Sequence, residues 1–406
     1  MSPGPALRVR RVEGAPVVAV RALLAGGARV ETAPAEALVA GRLLDEGSAR
    51  RDWRRIAADA DDRGAVVDSW GGYESIGVSV EALAADWQRA LDWAAELLLE
   101  PGFAEDRLAL VVRQAAAELE SQADQADALT GREFLAQLYA PHPRGRPLQG
   151  DPQSLARRTT ADARAHHAAA LARGAVVSVA GVIDPDRVAA AVERRFAGLG
   201  APSAAPSPAA PAPPPGPSRR EITTRAHDQA HLFVGRLTVP RAHPDYPALE
   251  LASVVLGAGA GLTGRIPQRI REREGLAYTA AADAVAGAGL DPGRLFAYVG
   301  TSPETVARAE QCAVEEIARF HAEGPTAREL EEARAFLLGR EPFRRETARQ
   351  WADLAAVGAL YGLPVEDAAW SAAQVAAVTP AEVAAAIARH LDPRRLAVTV
   401  GLPAPD

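Results

Sequence analysis

Two residues in the second half of the chain have types and a spacing that suit the binding of a peptide backbone. Pro267 suits the first turn of a short helix and Gly275 the position just past its end, so Arg271 lies in the last turn and Tyr278 on the strand that follows. A guanidinium and a phenol placed this way can donate hydrogen bonds to a peptide carbonyl or a developing oxyanion. The spacing alone favours the alternative of an arginine that caps helix carbonyls beside a packed tyrosine.

Three glycines precede this pair. Gly259, Gly261 and Gly264 form a G-x-G-x-x-G pattern, and Asp283 follows about 20 residues later. A dinucleotide site needs that pattern between a strand and a helix. The residues before it, 246–256, have helical character, and the residues after it are typical of an antiparallel strand pair. We therefore interpret the glycines as a loop near a bound substrate and not as a nucleotide site.

The histidines offer no convincing metal site. His166 and His167 are adjacent, so on a helix their side chains point about 100° apart, and a satisfied surface pair is the favoured interpretation. His227 and His231 form H-x-x-x-H, but His231 begins a predicted strand, and four extended residues span about 13 Å. No G-x-S-x-G motif indicates a serine hydrolase of that type.

The composition excludes several classes of enzyme. Lys plus Arg total 45, and all are arginines, because the sequence contains no lysine. P-loop NTPases, protein kinases and pyridoxal Schiff-base enzymes need a catalytic lysine and are excluded. The net charge of −7 argues against a nucleic-acid partner. The single cysteine, Cys312, excludes an internal disulfide and multi-cysteine metal sites, and is predicted to be a small buried hydrophobe.

No membrane partner is expected. No segment reaches about 18 uninterrupted apolar residues, so no transmembrane helix is predicted. Arginines near the N-terminus precede an apolar stretch, but Arg21 interrupts it and no small-residue cleavage site follows. We interpret residues 8–24 as strands of the fold, and expect the protein in the cytoplasm.

A proline-rich segment divides the chain into halves of similar length. Eight prolines fall between Pro202 and Pro217, separated almost entirely by Ala, Ser and Gly, which predicts a semi-rigid spacer. We therefore predict an N-terminal domain at 1–197, a linker at 198–220 and a C-terminal domain at 221–406.

The halves repeat the same order of elements. Each has an early strand, helical pattern, a strand pair, two long helices and a late apolar strand. Pro101 and Pro325 lie 224 positions apart, and Gly181 and Gly401 lie 220 apart. The near-constant offset predicts a duplicated α+β domain, each copy a mostly antiparallel sheet packed against helices.

The segment from Gly264 to Tyr278 resembles the second-domain signature of the pitrilysin/insulinase-type zinc peptidases, the family of the mitochondrial processing peptidases and their bacterial two-subunit relatives. The family's domains are α+β and duplicated. Its paired Arg and Tyr bind the substrate backbone near the scissile bond, which implies that role for Arg271 and Tyr278. The first half is similar to the family at Gly14, Ala25–Gly27, Leu43–Ser48, Pro101–Phe103 and Val176–Pro185.

The catalytic part of that pattern is missing. Active members carry H-x-x-E-H on an early helix, in which two histidines bind zinc and the glutamate activates water. Here the corresponding positions are residues 38–42, with Leu38 and Arg42 in place of the ligands and Gly41 in place of the base. The family's further glutamate ligand should come from the helix after Phe103, and residues 109–111 offer no carboxylate. We expect no metal at this place.

The resemblance then implies a non-catalytic subunit of a heterodimeric zinc peptidase. A homologous partner with H-x-x-E-H would hold the zinc, and the two chains would close around a peptide chamber. Arg271 and Tyr278 would contribute to substrate binding and carbonyl or oxyanion stabilisation. The alternative is a scaffold subunit without proteolytic function in a larger complex.

Overall fold

The apolar stretch that Arg21 interrupts forms the central strand of a five-stranded sheet. The computed structural model describes residues 4–202, 211, 216–225, 228–259 and 263–404. Strand β2 (Val17–Ala25) is buried almost throughout, because helix Trp87–Leu99 covers one face of the sheet and helix Ala348–Tyr361 the other. Arg21 is tolerated there because its guanidinium is paired with Glu81 (3.2 Å) and with Asp353.

The first compact unit comprises residues 1–119, 147–208 and 342–368. Its sheet has the order β1-β5-β2-β4-β3, antiparallel except for the parallel pair β1–β5. The remaining strands are β1 (Ala6–Arg11), β3 (Val66–Gly71), β4 (Ser75–Leu83) and β5 (Ala175–Gly181). Helices of the first half of the chain are α1 (Glu36–Arg42), α2 (Trp53–Asp61), α3 (Trp87–Leu99), α4 (Glu105–Asp124), α5 (Ala126–Tyr139), α6 (Pro152–Ala156), α7 (Thr160–Arg173) and α8 (Pro185–Arg195).

The second compact unit comprises residues 120–146, 209–341 and 369–406. Its strands are β6 (Ser218–Thr224), β7 (Ala230–Leu237), β8 (Ala277–Ala286), β9 (Arg294–Thr301) and β10 (Ala397–Pro403), in the order β6-β10-β7-β9-β8. Helices of this half of the chain are α9 (Tyr246–Ser253), α10 (Arg265–Pro267), α11 (Val306–Glu323), α12 (Ala327–Arg340), α13 (Ala348–Tyr361), α14 (Ala368–Ala377) and α15 (Pro380–His390). Two π-helical turns, Val254–Ala258 and Gln268–Arg273, extend α9 and α10.

The predicted duplication is confirmed by the topology. Numbered within its own unit, each sheet has the strand order 1-5-2-4-3, and in each the first and last strands are the parallel pair. Each sheet is packed against helices over its own apolar core. The fold is therefore the expected α+β duplication with mostly antiparallel sheets.

The compact units exchange two helical segments along the chain. Helix α5 comes from the first half, yet it packs on β7 and β10 of the second unit. Helix α13 comes from the second half and packs on β2 and β5 of the first, where Ser178 donates a hydrogen bond to the carbonyl of Ala352 (2.6 Å). The predicted boundaries at 197 and 221 follow the repeat in the sequence. The compact units differ from those boundaries because each contains one helical segment from the other half of the chain.

Two local expectations are corrected. Strand β6 begins at Ser218, so the last three residues of the predicted linker are sheet, while residues 203–210 and 212–215 lie outside the described residues. Arginines alternate with Glu341 and Glu346 in segment 340–349, which predicts one charged helix face. The segment instead crosses the end of α12, a 3₁₀ turn at Pro342–Arg345 and the start of α13.

Among the described residues, no single helix has the length and apolar character to cross a membrane. One pair of helices, Ala368–Ala377 and Pro380–Arg395, meets both criteria only when taken together, and it is bent by 86°.

Candidate functional site

Helix α1 carries residues 38–42, the positions that the sequence resemblance aligns with the zinc motif. It is a short helix in which every residue from Glu36 to Gly41 is buried, and it packs against α7 and β3. Leu38 is 2% exposed and belongs to the apolar core of the first unit. One of the two ligand positions is therefore a core position.

Gly41, at the position of the catalytic glutamate, lies against the backbone of β3. A Cβ atom added there would lie 2.3 Å from the carbonyl oxygen of Trp70 and 2.4 Å from the nitrogen and Cα of Gly71. A Cβ added to Gly71 would in turn lie 2.2 Å from the carbonyl oxygen of Ala37. Two glycines therefore let the helix and the strand touch, and no side chain fits at position 41 unless they separate.

Arg42, at the second ligand position, is bound to a carboxylate of α4. Its Nη1 and Nη2 donate to Oε1 and Oε2 of Glu118, both at 2.8 Å, in a two-bond ion pair. Gln149 donates a further hydrogen bond to Glu118 (3.0 Å). The Arg42 hydrogen bonds, with the help of Gln149, hold the pKa of the Glu118 carboxyl below its ordinary value.

The expectation that α4 brings no carboxylate to this place is wrong. Glu118 lies two helical turns beyond residues 109–111, and because it follows Val111 by seven residues it shares that residue's side of the helix. The buried positions Leu108, Val111, Ala115 and Leu119 mark that side of the helix in the sequence, but they do not show which of its turns faces α1.

These residues do not fit zinc. Glu118 is an oxygen ligand of the right kind, but its oxygens are engaged by Arg42, Leu38 has no ligand atom, and Gly41 has no side chain. A guanidinium is a fixed cation that offers donors only, so it can neutralise Glu118 but cannot bind a metal. The positive charge at this place is supplied by the protein itself.

Arg271 and Tyr278 converge as the spacing predicts. The Arg271 guanidinium carbon lies 5.0 Å from the centre of the Tyr278 ring, a cation–π contact. Tyr278 is 84% exposed. With the residues that the structure describes, Arg271 makes no ion pair or hydrogen bond, so the predicted alternative of a helix-capping arginine beside a packed tyrosine does not hold for them.

The exposure of Tyr278 has a backbone cause. In the ladder between β8 and β9, Ala277 pairs with Thr301 and Thr279 with Gly300, so Tyr278 is the extra residue of a bulge. Strand β8 is also the edge of its sheet. Gly275, with φ +64°, ends the preceding helix in the left-handed conformation, as the sequence predicts. The turn and the bulge together leave Tyr278 exposed at the sheet edge, beside Arg271.

The glycine-rich segment, residues 257–264, precedes the short helix that carries Arg271. Gly264 has φ +123°, and a Cβ atom there would lie 2.6 Å from the Cα of Gly257. The backbones of Gly257 and Gly264 are therefore too close for a side chain at position 264. Gly259 and Gly264 line a cavity of about 410 Å³, and Gly261 lies outside the described residues. A π-helical turn precedes the segment and an antiparallel strand pair follows α10, which is not the strand–loop–helix order of a dinucleotide site.

Ion pairing fixes the start of α10. Arg265 donates through Nε and Nη2 to Glu329, both at 2.7 Å. These bonds, together with the hydrogen bonds from Thr326, lower the pKa of Glu329 to about 2. The short helix that carries Arg271 is therefore anchored to α12 at its first residue.

The histidines singled out in the sequence are structural. His166 and His167 are buried, not on the surface, and their Nε2 atoms bond the carbonyls of Gly26 (2.8 Å) and Leu98 (2.7 Å). Burial lowers the pKa of both rings. His231 lies on β7 as predicted, and His227 lies outside the described residues. Cys312 is buried in the core of the second unit, as expected.

Comparisons with known proteins agree on one family. The sequence model described as "Peptidase M16 inactive domain" matches residues 164–337. An uncharacterized zinc protease of Mycobacterium leprae is 29% identical over 315 residues, covering 76% of this chain and 69% of the relative. An uncharacterized zinc protease of Mycobacterium tuberculosis is 27% identical over 303 residues, covering 73% and 68%.

Solved structures extend the similarity over the whole chain. The crystal structure of a peptidase M16 inactive domain from Pseudomonas fluorescens is similar with a TM-score of 0.89 and 25% identity, covering 100% of this chain and 98% of the other. A protease from Helicobacter pylori has the same fold, with a TM-score of 0.85 and 15% identity, covering 99% and 98%.

Proposed function

We propose that this chain is a member of the M16 peptidase family and works as the non-catalytic subunit of a heterodimeric peptidase. Its partner would be a homologous chain that carries H-x-x-E-H and holds the zinc. Several of its relatives are called zinc proteases, whereas here Leu38, Gly41 and Arg42 stand at the motif positions. The proposal divides one active site between two homologous chains.

One contrast carries the proposal. The place of the metal is closed by an ion pair, Arg42 with Glu118, and by the contact of Gly41 with β3. Tyr278 is instead 84% exposed on an edge strand, with the Arg271 guanidinium against its ring. A chain that had lost all function would have no evident reason to keep a largely exposed tyrosine over an arginine at a strand bulge.

The pair would act on the substrate main chain. The Arg271 guanidinium has five donors in a fixed plane and the Tyr278 hydroxyl has one, so together they can hold a peptide carbonyl from two directions. Donors aimed at the oxygen that becomes negative stabilise the transition state more than the bound substrate. When bound in the partner, zinc would supply the activated water, and this chain would supply half of the peptide chamber.

Co-purification and kinetics of the assembled pair test this function. We expect the chain to isolate with a homologous H-x-x-E-H subunit, and Arg271→Ala to lower peptide turnover by about 10²-fold without loss of assembly on size exclusion. Tyr278→Phe keeps the ring under the guanidinium and removes only the hydroxyl, so its loss should be smaller. Arg273→Ala, an exposed arginine of the same turn, is the matched control and should keep wild-type turnover.

Two outcomes would count against the proposal in different ways. Wild-type turnover in Arg271→Ala, with assembly intact, would remove the role of the pair. Isolation with an unrelated assembly and no peptidase subunit would favour the scaffold alternative.

The cytoplasm is the compartment that we propose for the pair, since a chain whose single cysteine is buried uses no internal disulfide.

A further inference from the structure

A second candidate metal centre lies in the second unit, away from the family's zinc position. Among the described residues, His243, Asp245 and His390 form one group whose ligand atoms all lie within 4.8 Å of one another. His243 and Asp245 are in the turn before α9, and His390 is the last residue of α15. The group therefore joins two elements that are far apart in sequence.

The donor atoms already point toward a common place. Asp245 Oδ2 lies 2.7 Å from His390 Nε2 and 3.9 Å from His243 Nδ1. Around a tetrahedral metal with bonds of about 2.0–2.1 Å, ligand atoms lie about 3.3 Å apart. The two separations bracket that value, and all ligand atoms of the group lie within 4.8 Å of one another, so the side chains would need to move closer to complete the geometry.

The three side chains are partly exposed to solvent and are also held in place by packing contacts. Their exposed fractions are 35% for His243, 18% for Asp245 and 20% for His390. The histidine rings pack edge to face, with centroids 5.4 Å apart. Packing of this kind holds ligands in position before a metal arrives, and the remaining exposure leaves a route for entry and room for a water ligand.

Two hydrogen bonds must be exchanged on binding. His390 Nε2 donates to Asp245 Oδ2, and His243 Nδ1 accepts the backbone N–H of Asp245 (3.0 Å). A metal would take both ring nitrogens, with the ring protons carried on the opposite nitrogens. Both exchanges are local and leave the backbone of α9 and α15 in place.

Arg389 is the competitor for this place. It donates through Nε and Nη2 to the two oxygens of Asp245, at 3.0 and 2.8 Å. Its side chain is 54% exposed, so it can turn into solvent when a doubly charged ion binds.

We propose that His243, Asp245 and His390 form a binding site for a divalent transition metal of the zinc class, with water completing the coordination. Two imidazole nitrogens and one carboxylate are a ligand set that such ions prefer over magnesium or calcium. The site would tie the start of α9 to the end of α15. It is independent of the proposed peptidase role and needs no partner subunit.

Metal titration of the full, tag-free chain tests the site. Zn²⁺ should bind with one-to-one stoichiometry by calorimetry and raise the unfolding temperature, and Co²⁺ should give visible absorption bands of a site with nitrogen and oxygen ligands. His243→Gln, Asp245→Asn and His390→Gln should each weaken binding by about tenfold or more. Each variant is compared with itself without metal, so a loss of intrinsic stability does not obscure the result.

Two further variants separate a built site from a hydrogen-bonded cluster. Arg389→Gln removes the competing cation and should tighten Zn²⁺ binding by roughly threefold or more, which a purely structural cluster would not do. His321→Gln changes another histidine of the same unit and should leave the affinity unchanged. The proposal is overturned if wild type shows no saturable binding, or if the three ligand variants bind as wild type does.

Activity distinguishes this centre from a catalytic one. Zinc held here should leave the isolated chain without peptidase activity, and Arg42→Ala should not change its affinity. Zinc found in the purified chain would then have a location other than α1.

Discussion

Gly41→Ala is the smallest change that tests whether position 41, which the resemblance aligns with the catalytic glutamate, is closed to a side chain. The substitution adds one methyl group, which would lie 2.3 Å from the carbonyl oxygen of Trp70 and 2.4 Å from the nitrogen and Cα of Gly71. All three neighbours are backbone atoms of β3, so no side chain can rotate away. Helix α1 must therefore move off the strand by about 1 Å to restore ordinary contact distances.

The expected free energy follows from two opposing effects. Overpacking of a rigid site costs about 1–3 kcal/mol, and the absence of any flexible neighbour places this one near the upper end. Alanine is better than glycine in a helix by about 1 kcal/mol, which offsets part of the cost. Gly41→Ala should thus lower the free energy of unfolding by about 2 kcal/mol, and Gly41→Glu by more.

Gly339→Ala is the matched control because the same change has the opposite expected sign. Gly339 is exposed on α12, and a Cβ there meets nothing within 4 Å. The substitution should raise stability by up to about 1 kcal/mol. Urea unfolding followed by circular dichroism gives both midpoints. If Gly41→Ala unfolds at the wild-type midpoint, α1 is not held against β3, and the closure argument fails.

Three further predictions concern the same helix and its surroundings. A double-mutant cycle of Arg42→Ala and Glu118→Ala should give a coupling of about 1 kcal/mol, because the pair is two-bonded but partly exposed; no coupling in urea unfolding would show that the ion pair contributes nothing. Burial raises the pKa of Asp45 from 3.8 to about 6, so the folded chain binds this proton more tightly than the unfolded chain does. The free energy of unfolding should therefore fall by up to about 3 kcal/mol as the pH rises from about 4 to 6. Asp45→Asn should abolish this pH dependence, and an unchanged dependence in the variant would contradict the effect of burial. The double variant Leu38→His with Arg42→His keeps Glu118 and should be stabilised against heat by zinc. It should have no peptidase activity, because Gly41 has no side chain that could act as the general base. Peptide hydrolysis by this variant would show that a base at position 41 is not needed.

Much of the fold could be predicted because the pattern is strong along single elements. The strand at Val17–Leu24 is a nearly continuous apolar run, and apolar and polar residues alternate in the strand pair after Leu276. Pro and Gly residues mark the ends of these strands. The near-constant offset between corresponding Pro and Gly residues of the two halves predicted the duplication, which the identical sheet orders confirm.

Contacts between elements were harder to predict, because they depend on helix register. Glu118 was missed since nothing local fixes which turn of the 20-residue helix α4 faces Arg42. The exchange of α5 and α13 was missed for a similar reason, because hydrophobic periodicity shows that a face is buried but not which sheet covers it. The closure at Gly41 depends on a backbone contact with Gly71, which no property of residue 41 alone indicates.

The cluster of His243, Asp245 and His390 could not be predicted from sequence spacing, for a different reason. His243 and His390 are separated by nearly 150 positions, and only the packing of α9 against α15 brings them to one aspartate. Histidine pairs that are close along the chain, such as His166 and His167, give no indication of a site of this kind.

The exchange of helices determines what can be cut from this protein. A polypeptide ending before the proline-rich segment would keep β1–β5 but lack α13, exposing the apolar surface of Ala19 and Ala180 that Trp351 and Ala355 now cover. The complementary fragment would lack α5 and leave Phe233 and Leu237 uncovered in the same way. Neither half is a self-sufficient module, so separately produced fragments should aggregate, whereas fragments produced together should reassemble by trading the two helices.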